Sequence, residues 1–167
     1  MIRMAIANQK GGVGKTTTAI NLATALAATN WRTLLVDLDP QGNASTGIGI
    51  SAEEREHTTY DLLIDGRPLN ETVRSTRIPG LDIVPSTVDL SGAEVELVGV
   101  GDRTGRLKAA LHGDSRHDVC LIDCPPSLSI LTLNALTAAD AGRIGTDPSR
   151  PSIRGTVVEL AVPIAEV

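Results

Sequence analysis

The sequence has few aromatic residues and no long apolar run. Trp occurs once, Tyr once and Phe not at all, so a hydrophobic core has to be built from Leu, Ile, Val and Ala. No apolar segment approaches the roughly 20 residues of a membrane-spanning helix. The first residues run into a strand-like segment and lack the layout of a secretory signal. These absences predict a cytoplasmic protein that makes no membrane contact.

Basic residues and cysteines are also scarce. The chain has 15 Lys and Arg against 20 Asp and Glu, which gives a net charge of −5. Phosphate neutralisation needs clustered basic side chains, so this balance argues against unaided, non-specific nucleic-acid binding. The two cysteines, Cys120 and Cys124, lie in one apolar run without clustered histidines. That arrangement suits a metal site poorly, and we expect buried thiols.

Apolar segments separated by turns predict an α/β domain. Residues 2–7 and 33–38 are short runs typical of buried strands, and residues 16–28 between them have the apolar face of a helix. Together they predict a βαβ unit with a right-handed crossover. Further patterns predict a loop at 39–49, strands at 80–85 and 119–124, and helices at 59–64, 88–98, 104–111 and 127–139. This order predicts a doubly wound, mostly parallel sheet with helices on both faces.

A glycine-rich loop lies between the first predicted strand and helix. Residues 10–17 read Lys-Gly-Gly-Val-Gly-Lys-Thr-Thr. Glycines let the backbone curl so that several N–H groups face a phosphate, and the helix dipole points at the same anion. We expect Lys15 to reach the β- and γ-phosphates of ATP, Thr16 to coordinate Mg²⁺ and Thr17 to hold the α-phosphate. The predicted nucleotide-binding residues are Lys10, Gly11, Gly12, Val13, Gly14, Lys15, Thr16 and Thr17.

Acidic residues end two of the predicted strands. Asp123 fits a Walker B aspartate that reaches Mg²⁺, because ligands gather at the carboxyl ends of strands in such sheets. Strand alternation predicts that Asp37 and Asp39 share one face. Asp39 opens the following loop and is the candidate for positioning the attacking water, whereas Asp37 is a candidate for supporting the metal shell or the loop. The predicted catalytic residues are Lys10, Lys15 and Asp39, and the predicted metal-associated residues are Thr16, Asp37 and Asp123.

Four segments together resemble the ParA/Soj family of chromosome- and plasmid-partitioning ATPases, within the ParA/MinD group. They are residues 10–17, 36–43 (Val-Asp-Leu-Asp-Pro-Gln-Gly-Asn), 118–128 and 131–136. The loop departs from the general P-loop pattern because Gln9 stands where a glycine is usual and Lys10 is additional. The resemblance implies a P-loop NTPase fold with a deviant Walker A loop and Mg²⁺-dependent ATP hydrolysis. It also implies that Lys10 reaches the partner's nucleotide in an ATP-bound dimer.

The same resemblance implies partners for the chain. Members of the family form a homodimer on binding ATP, bind DNA non-specifically in that state, and respond to a ParB-type protein that stimulates hydrolysis. ATP would set a binding state and hydrolysis would reset it. Asp39 would be the switch I residue needed for hydrolysis, and Asp123 with Pro125 and Pro126 would form the Walker B and switch II region. The implied location is the nucleoid where DNA binding is retained.

The pattern changes after Asp140. Residues 1–140 predict the N-terminal portion of a P-loop ATPase domain, and residues 141–167 predict a divergent or truncated tail of the same domain. Residues 141–154 carry Gly, Pro and Arg in quick succession and predict no strand. Family members continue with further strands and helices, so we expect the C-terminal part of the sheet to be missing. A truncated, non-catalytic remnant is therefore the main alternative to an active ATPase.

Three other protein classes share this type of P-loop. A MinD-like ATPase binds membrane through a C-terminal amphipathic helix, but residues 157–167 contain Pro163 and no Lys or Arg. Electron transfer of the nitrogenase iron-protein type needs cluster-ligating cysteines, and two thiols beside Walker B do not supply them. A tyrosine kinase of this group carries a tyrosine-rich tail, whereas Tyr60 is the only tyrosine. The residues favour the partitioning ATPase.

Overall fold

A six-stranded sheet forms the centre of the molecule. The computed structural model describes residues 1–140, together with the backbone of residues 145–147, 150–152 and 158–159. The strands are β1 (Ile2–Ala7), β2 (Thr33–Asp37), β3 (Arg74–Ser75), β4 (Leu81–Val84), β5 (Val119–Asp123), β6 (Gly145–Asp147), β7 (Arg150–Ser152) and β8 (Val158–Glu159). Their order across the sheet is β3-β4-β2-β5-β1-β8, and β6 and β7 form a separate antiparallel pair. Because only β3 pairs antiparallel within the large sheet, the predicted mostly parallel sheet is confirmed.

The register of the central strands aligns their carboxyl ends. β2 and β5 pair from Thr33 with Val119 to Asp37 with Asp123, and β1 brings Ile6 beside Asp123. Parallel strands of equal register end at one edge of the sheet. The loops that follow β1, β2 and β5 therefore leave from the same edge.

Helices cover both faces of the sheet. They are α1 (Lys15–Ala28), α2 (Asn43–Gly47), α3 (Leu69–Thr72), α4 (Leu90–Glu96), α5 (Arg106–Ala110) and α6 (Ile130–Ala138), with a π-helical turn at Asp61–Asp65. Leu35 packs with α1 and α2 on one face, whereas Leu34 and Val36 pack with α4, α5 and α6 on the other. Leu34, Leu35 and Val36 are fully buried, as expected for a strand covered on both sides. The predicted doubly wound arrangement is confirmed.

Several details differ from the sequence predictions. The predicted loop 39–49 contains the short helix α2, and the predicted helix 59–64 overlaps the π-helical turn. The prediction that residues 141–154 hold no strand is wrong, because β6 and β7 lie there and pair antiparallel. Strands of three residues are too short to show alternation.

The described residues test the predictions about the membrane and the domain boundary only in part. Within the described residues, no helix is long and apolar enough to cross a membrane. Residues 1–140 form the sheet and both helical layers, apart from β8, which pairs with β1. Most of the predicted tail, 141–167, lies outside the described residues, so the division of the chain at residue 140 stays a prediction.

Candidate functional site

The glycine-rich loop curls between β1 and α1. Gly12 and Gly14 have φ angles of 71° and 85°, a left-handed conformation that favours glycine. Gly14 is the residue before α1, and that helix has no side-chain cap and no acidic residue in its first turn. The positive end of the α1 dipole is therefore available to an anion bound over this loop.

Lys15 is held at the base of the same loop. Its side chain is buried, at 7% exposure, and its Nζ donates a hydrogen bond to the Lys10 carbonyl oxygen over 3.2 Å. Burial of an ammonium group needs hydrogen-bonding partners or an anion. Lys15 is thus placed to meet phosphate oxygens above the loop.

A cavity of about 520 Å³ lies over the glycine-rich loop. Its walls come from the loop after β1, the start of α1, the loop after β2 and the segment after β5. The lining residues are Gly11, Gly12, Val13, Gly14, Lys15, Thr16, Thr17, Asp39, Gln41, Asn43 and Pro126. The volume is in the range of small-molecule and cofactor sites. The structure therefore brings most of the predicted nucleotide-binding residues together with Asp39.

Asp123 lies at the end of β5 with an unpartnered carboxylate. It is fully buried, and among residues 1–140 no donor, the nearby Thr16 hydroxyl included, lies in hydrogen-bond geometry to either carboxylate oxygen. Burial raises the pKa of this carboxyl to about 7; Asp37 and Asp39 add to the rise, whereas the Thr16 hydroxyl and Lys15 oppose it. A buried carboxylate without partners is costly. A divalent cation near Thr16 would supply the missing partner.

The donor set fits magnesium better than a metal held by protein alone. In the described part of the chain, no three His, Cys, Asp or Glu side chains are grouped to hold a metal. Magnesium commonly takes one or two protein oxygens and completes its shell with phosphate and water. Thr16 and Asp123 match that pattern.

Asp39 and Asp37 take different positions. β2 ends at Asp37, so the alternation that predicted a shared face does not extend to Asp39. Asp39 lines the cavity, is 8% exposed, and accepts a hydrogen bond from the Gln41 N–H over 2.9 Å. Asp37 is not among the lining residues.

Both carboxylate oxygens of Asp37 accept hydrogen bonds from the loop that follows it. One carboxylate oxygen accepts hydrogen bonds from the Ser45 N–H (2.8 Å) and hydroxyl (2.6 Å), and the other accepts from the Asp39 N–H (3.2 Å). Burial raises the pKa of Asp37, while the bonds from Ser45 lower it. These contacts favour the loop-supporting role over the metal role that we also predicted for Asp37.

Lys10 does not line the cavity. Its side chain is exposed, its backbone N–H donates to Asn8 Oδ1, and its carbonyl oxygen accepts a hydrogen bond from Lys15.

The two cysteines are buried and unpaired with each other, and burial raises the pKa of Cys124 to about 12. The prediction of ordinary buried thiols is confirmed.

Several residues around the cavity were not predicted from the sequence. Gln41 and Asn43 line it, and their signal was present in the Asp-Pro-Gln-Gly-Asn segment that we used only for the resemblance. Ser45 and Arg55 hold the same loop from outside the cavity. No local pattern marks Arg55, because its partners Ile50, Thr46 and Ser86 lie 5, 9 and 31 positions away and form no repeating motif.

Comparison with known proteins gives a consistent result. The family model AAA_31, described as an AAA domain, matches residues 1–166. The chromosome partitioning protein ParA of Caulobacter vibrioides is 55% identical over 141 residues, which cover 83% of this chain and 53% of that protein. The Soj protein of Bacillus subtilis is 50% identical over 139 residues, covering 83% and 55%, and the Soj ATPase of Thermus thermophilus is 53% identical over 159 residues, covering 95% and 60%. The chain spans about half the length of the curated relatives it matches.

Solved structures include similar chains with nucleotide. Cobyrinic acid a,c-diamide synthase from Mycobacterium smegmatis, with an ATP analog and magnesium, matches with a TM-score of 0.80 and 42% identity, covering 84% of this chain and 58% of that one. A complex of ATP with a single-substitution variant of McdA from Cyanothece matches at 0.78 and 33%, covering 84% and 54%. A putative plasmid partition protein from Borrelia burgdorferi bound to AMPPNP matches at 0.74 and 29%, covering 83% and 58%.

These matches confirm both the fold and the resemblance to ParA and Soj proteins. The family model covers nearly the whole chain, and the ParA and Soj relatives are 55% and 50% identical over 83% of it. The chain belongs to the AAA_31 family of AAA domains, with ParA and Soj partitioning proteins among its relatives.

Proposed function

We propose that this chain binds Mg-ATP and hydrolyses it as a ParA-type molecular switch in chromosome or plasmid partitioning. The observation that carries the proposal is the buried Asp123 carboxylate, which has no hydrogen-bond partner in the described part of the chain, beside a cavity lined by Lys15, Thr16 and Asp39. A metal-bound triphosphate would satisfy that carboxylate and the Lys15 charge at once. Relatives named as chromosome-partitioning ATPases support the assignment.

Binding would rest on the loop and the start of α1. The N–H groups around Gly12 and Gly14 and the positive end of α1 would hold the phosphates, with Lys15 on the β- and γ-phosphates. Thr16 and Asp123 would hold Mg²⁺, which neutralises developing charge on the phosphate oxygens.

Hydrolysis would use Asp39. Water attacks the γ-phosphorus, the bond from that phosphorus to the bridging oxygen of ADP breaks, and ADP and inorganic phosphate result. Asp39 reaches the cavity from the loop after β2 and would orient the attacking water. Asp37, bonded to Ser45, would keep that loop in place.

The proposed switch would act by pairing two ATP-bound copies of the chain and by binding further partners. Lys10 is exposed beside the cavity rather than inside it, which suits a lysine that reaches the nucleotide of a second copy. An ATP-bound homodimer, a ParB-type stimulating protein and non-specific DNA are the proposed partners. The net charge of −5 makes DNA the weakest of the three for this chain alone.

Phosphate release tests the catalytic proposal. The wild-type chain should turn over ATP only when Mg²⁺ is present, and Asp39→Ala should keep ATP binding while turnover falls to background. Asp65→Ala is a matched control, because Asp65 is exposed and is not among the lining residues. Absence of Mg-ATP binding by the wild type would support the non-catalytic remnant instead, and unchanged turnover in Asp39→Ala would remove that residue from its role.

A further inference from the structure

Arg55 ties together three parts of the chain near the candidate site. Its Nη1 donates to the Ser86 carbonyl oxygen (3.0 Å), and its Nη2 donates to Thr46 Oγ1 (2.7 Å) and to the Ile50 carbonyl oxygen (2.9 Å). Among the described residues, no ion pair joins Arg55 to a carboxylate. Its Nη1 and Nη2 groups therefore donate to the loop after β2 and to the segment after β4.

The loop segment just before Thr46 and Ile50 forms one wall of the phosphate cavity. Asp39, Gln41 and Asn43 line the cavity, and Arg55 grips the chain a few residues further on. A second set of bonds reinforces the same attachment, because Ser45 donates to Asp37 and accepts a 3.0 Å bond from the Ser86 N–H. The loop is thus fastened to β2 by Asp37 and to the segment after β4 by Arg55.

Gly42 shows how closely Arg55 approaches the loop. Gly42 has a φ of 62°, and a Cβ at this position would lie 2.5 Å from Arg55 Nη1 and 2.8 Å from the Ser86 carbonyl oxygen. The guanidinium occupies the space that any side chain here would need. It packs directly against the backbone between Gln41 and Asn43, both of which line the cavity.

We infer that Arg55 is a positioning residue for ATP hydrolysis: it holds the loop of residues 39–50 against the end of β4 so that Asp39 faces the phosphate cavity. This inference rests on the proposed function. Arg55 is absent from the lining residues and acts through the loop. The planar guanidinium donates from two nitrogens in a fixed fork. Lysine would keep the charge but lose that geometry.

ATP binding and turnover should separate in Arg55 variants. In Arg55→Ala, we expect kcat to fall roughly 10- to 100-fold, because small misplacements of a catalytic group have effects of that size, while the Kd for Mg-ATP changes less than about threefold. Arg55→Lys should recover part of kcat. Arg77→Ala is the matched control, since Arg77 is exposed and is not among the residues that line the cavity.

Hydrogen exchange gives a readout that needs no catalysis. In nucleotide-free protein, amides of residues 42–50 should exchange roughly tenfold faster in Arg55→Ala than in wild type, with β5 amides unchanged. Faster exchange together with lost turnover supports the inference. Unchanged loop exchange, unchanged kcat, or equal losses of binding and turnover would overturn it. A wild type without ATPase activity would defeat the proposed function, and loop exchange would then decide whether Arg55 holds the loop at all.

Discussion

The buried carboxylate of Asp123 allows the energetic cost of the candidate metal site to be measured without nucleotide. The ordinary pKa of this group is 3.8, and burial raises it to about 7 in the folded protein. At 1.36 kcal/mol per pKa unit, ionised Asp123 costs about 4 kcal/mol of folding free energy above pH 7. Asp123→Asn removes that charge while keeping the shape of the side chain.

The sign of the pH dependence follows from proton binding. Because the folded state binds the Asp123 proton more tightly than the unfolded state, the free energy of unfolding of the wild type falls as pH rises from 3.8 to about 7. Asp123→Asn has no such titration. The unfolding free energy of Asp123→Asn relative to wild type should therefore increase by about 2 to 3 kcal/mol between pH 5 and pH 8.

Urea unfolding followed by circular dichroism measures this difference, in EDTA and without nucleotide so that no cation occupies the site. Asp118→Asn is the matched control, because hydrogen bonds from Arg32 hold the pKa of Asp118 at about 2. That variant should lose stability by a similar amount at pH 5 and pH 8, since both lie above the Asp118 pKa values of the folded and unfolded states. A relative stability of Asp123→Asn that stays constant or falls between pH 5 and pH 8 would refute the reasoning.

Three further predictions concern the scaffold. Asn134→Ala should lower the free energy of unfolding by roughly 2–4 kcal/mol in urea titrations, because the buried amide makes three hydrogen bonds to backbone groups; a loss under roughly 1 kcal/mol would contradict this. Gly42→Ala should lower the free energy of unfolding by roughly 1–3 kcal/mol, since its Cβ would displace Arg55. An equally stable variant would show that Arg55 does not pack closely against residue 42. Cys120 and Cys124 should resist a thiol reagent in the native state and react on unfolding, because burial raises both pKa values; rapid native labelling would be inconsistent with this core.

The parts of the fold that sequence patterns predicted are those whose pattern is long or chemically specific. The apolar runs at 33–38 and 119–124 predicted strands, and β2 and β5 begin at the predicted residues. The predicted helix 16–28 differs from α1 by a single residue at its start. The helix Leu69–Thr72 and the two-residue β3 went unpredicted, since elements this short show no periodicity.

In the candidate site, too, only the part with a chemically specific pattern could be predicted from the sequence. Glycines and lysines in a fixed order mark the phosphate loop because chemistry requires them at those positions. The environment of Asp37 was not predictable, because it depends on where β2 ends and on Ser45 eight residues later. The hydrogen bond from Arg55 to the Ser86 carbonyl oxygen was not predictable either, because it joins residues 31 positions apart. Such contacts arise only when the strands have aligned.

Unfolding with and without Mg-ATP tests the central claim most directly. A ligand that binds only the folded chain adds roughly 2.7 kcal/mol at a hundredfold excess over Kd. We predict that Mg-ATP raises the free energy of unfolding of the wild type and of the control Lys108→Ala, whose lysine is exposed on α5. The free energy of unfolding of Lys15→Ala should not change. Equal stabilisation of Lys15→Ala and wild type, or no stabilisation of either, would contradict it.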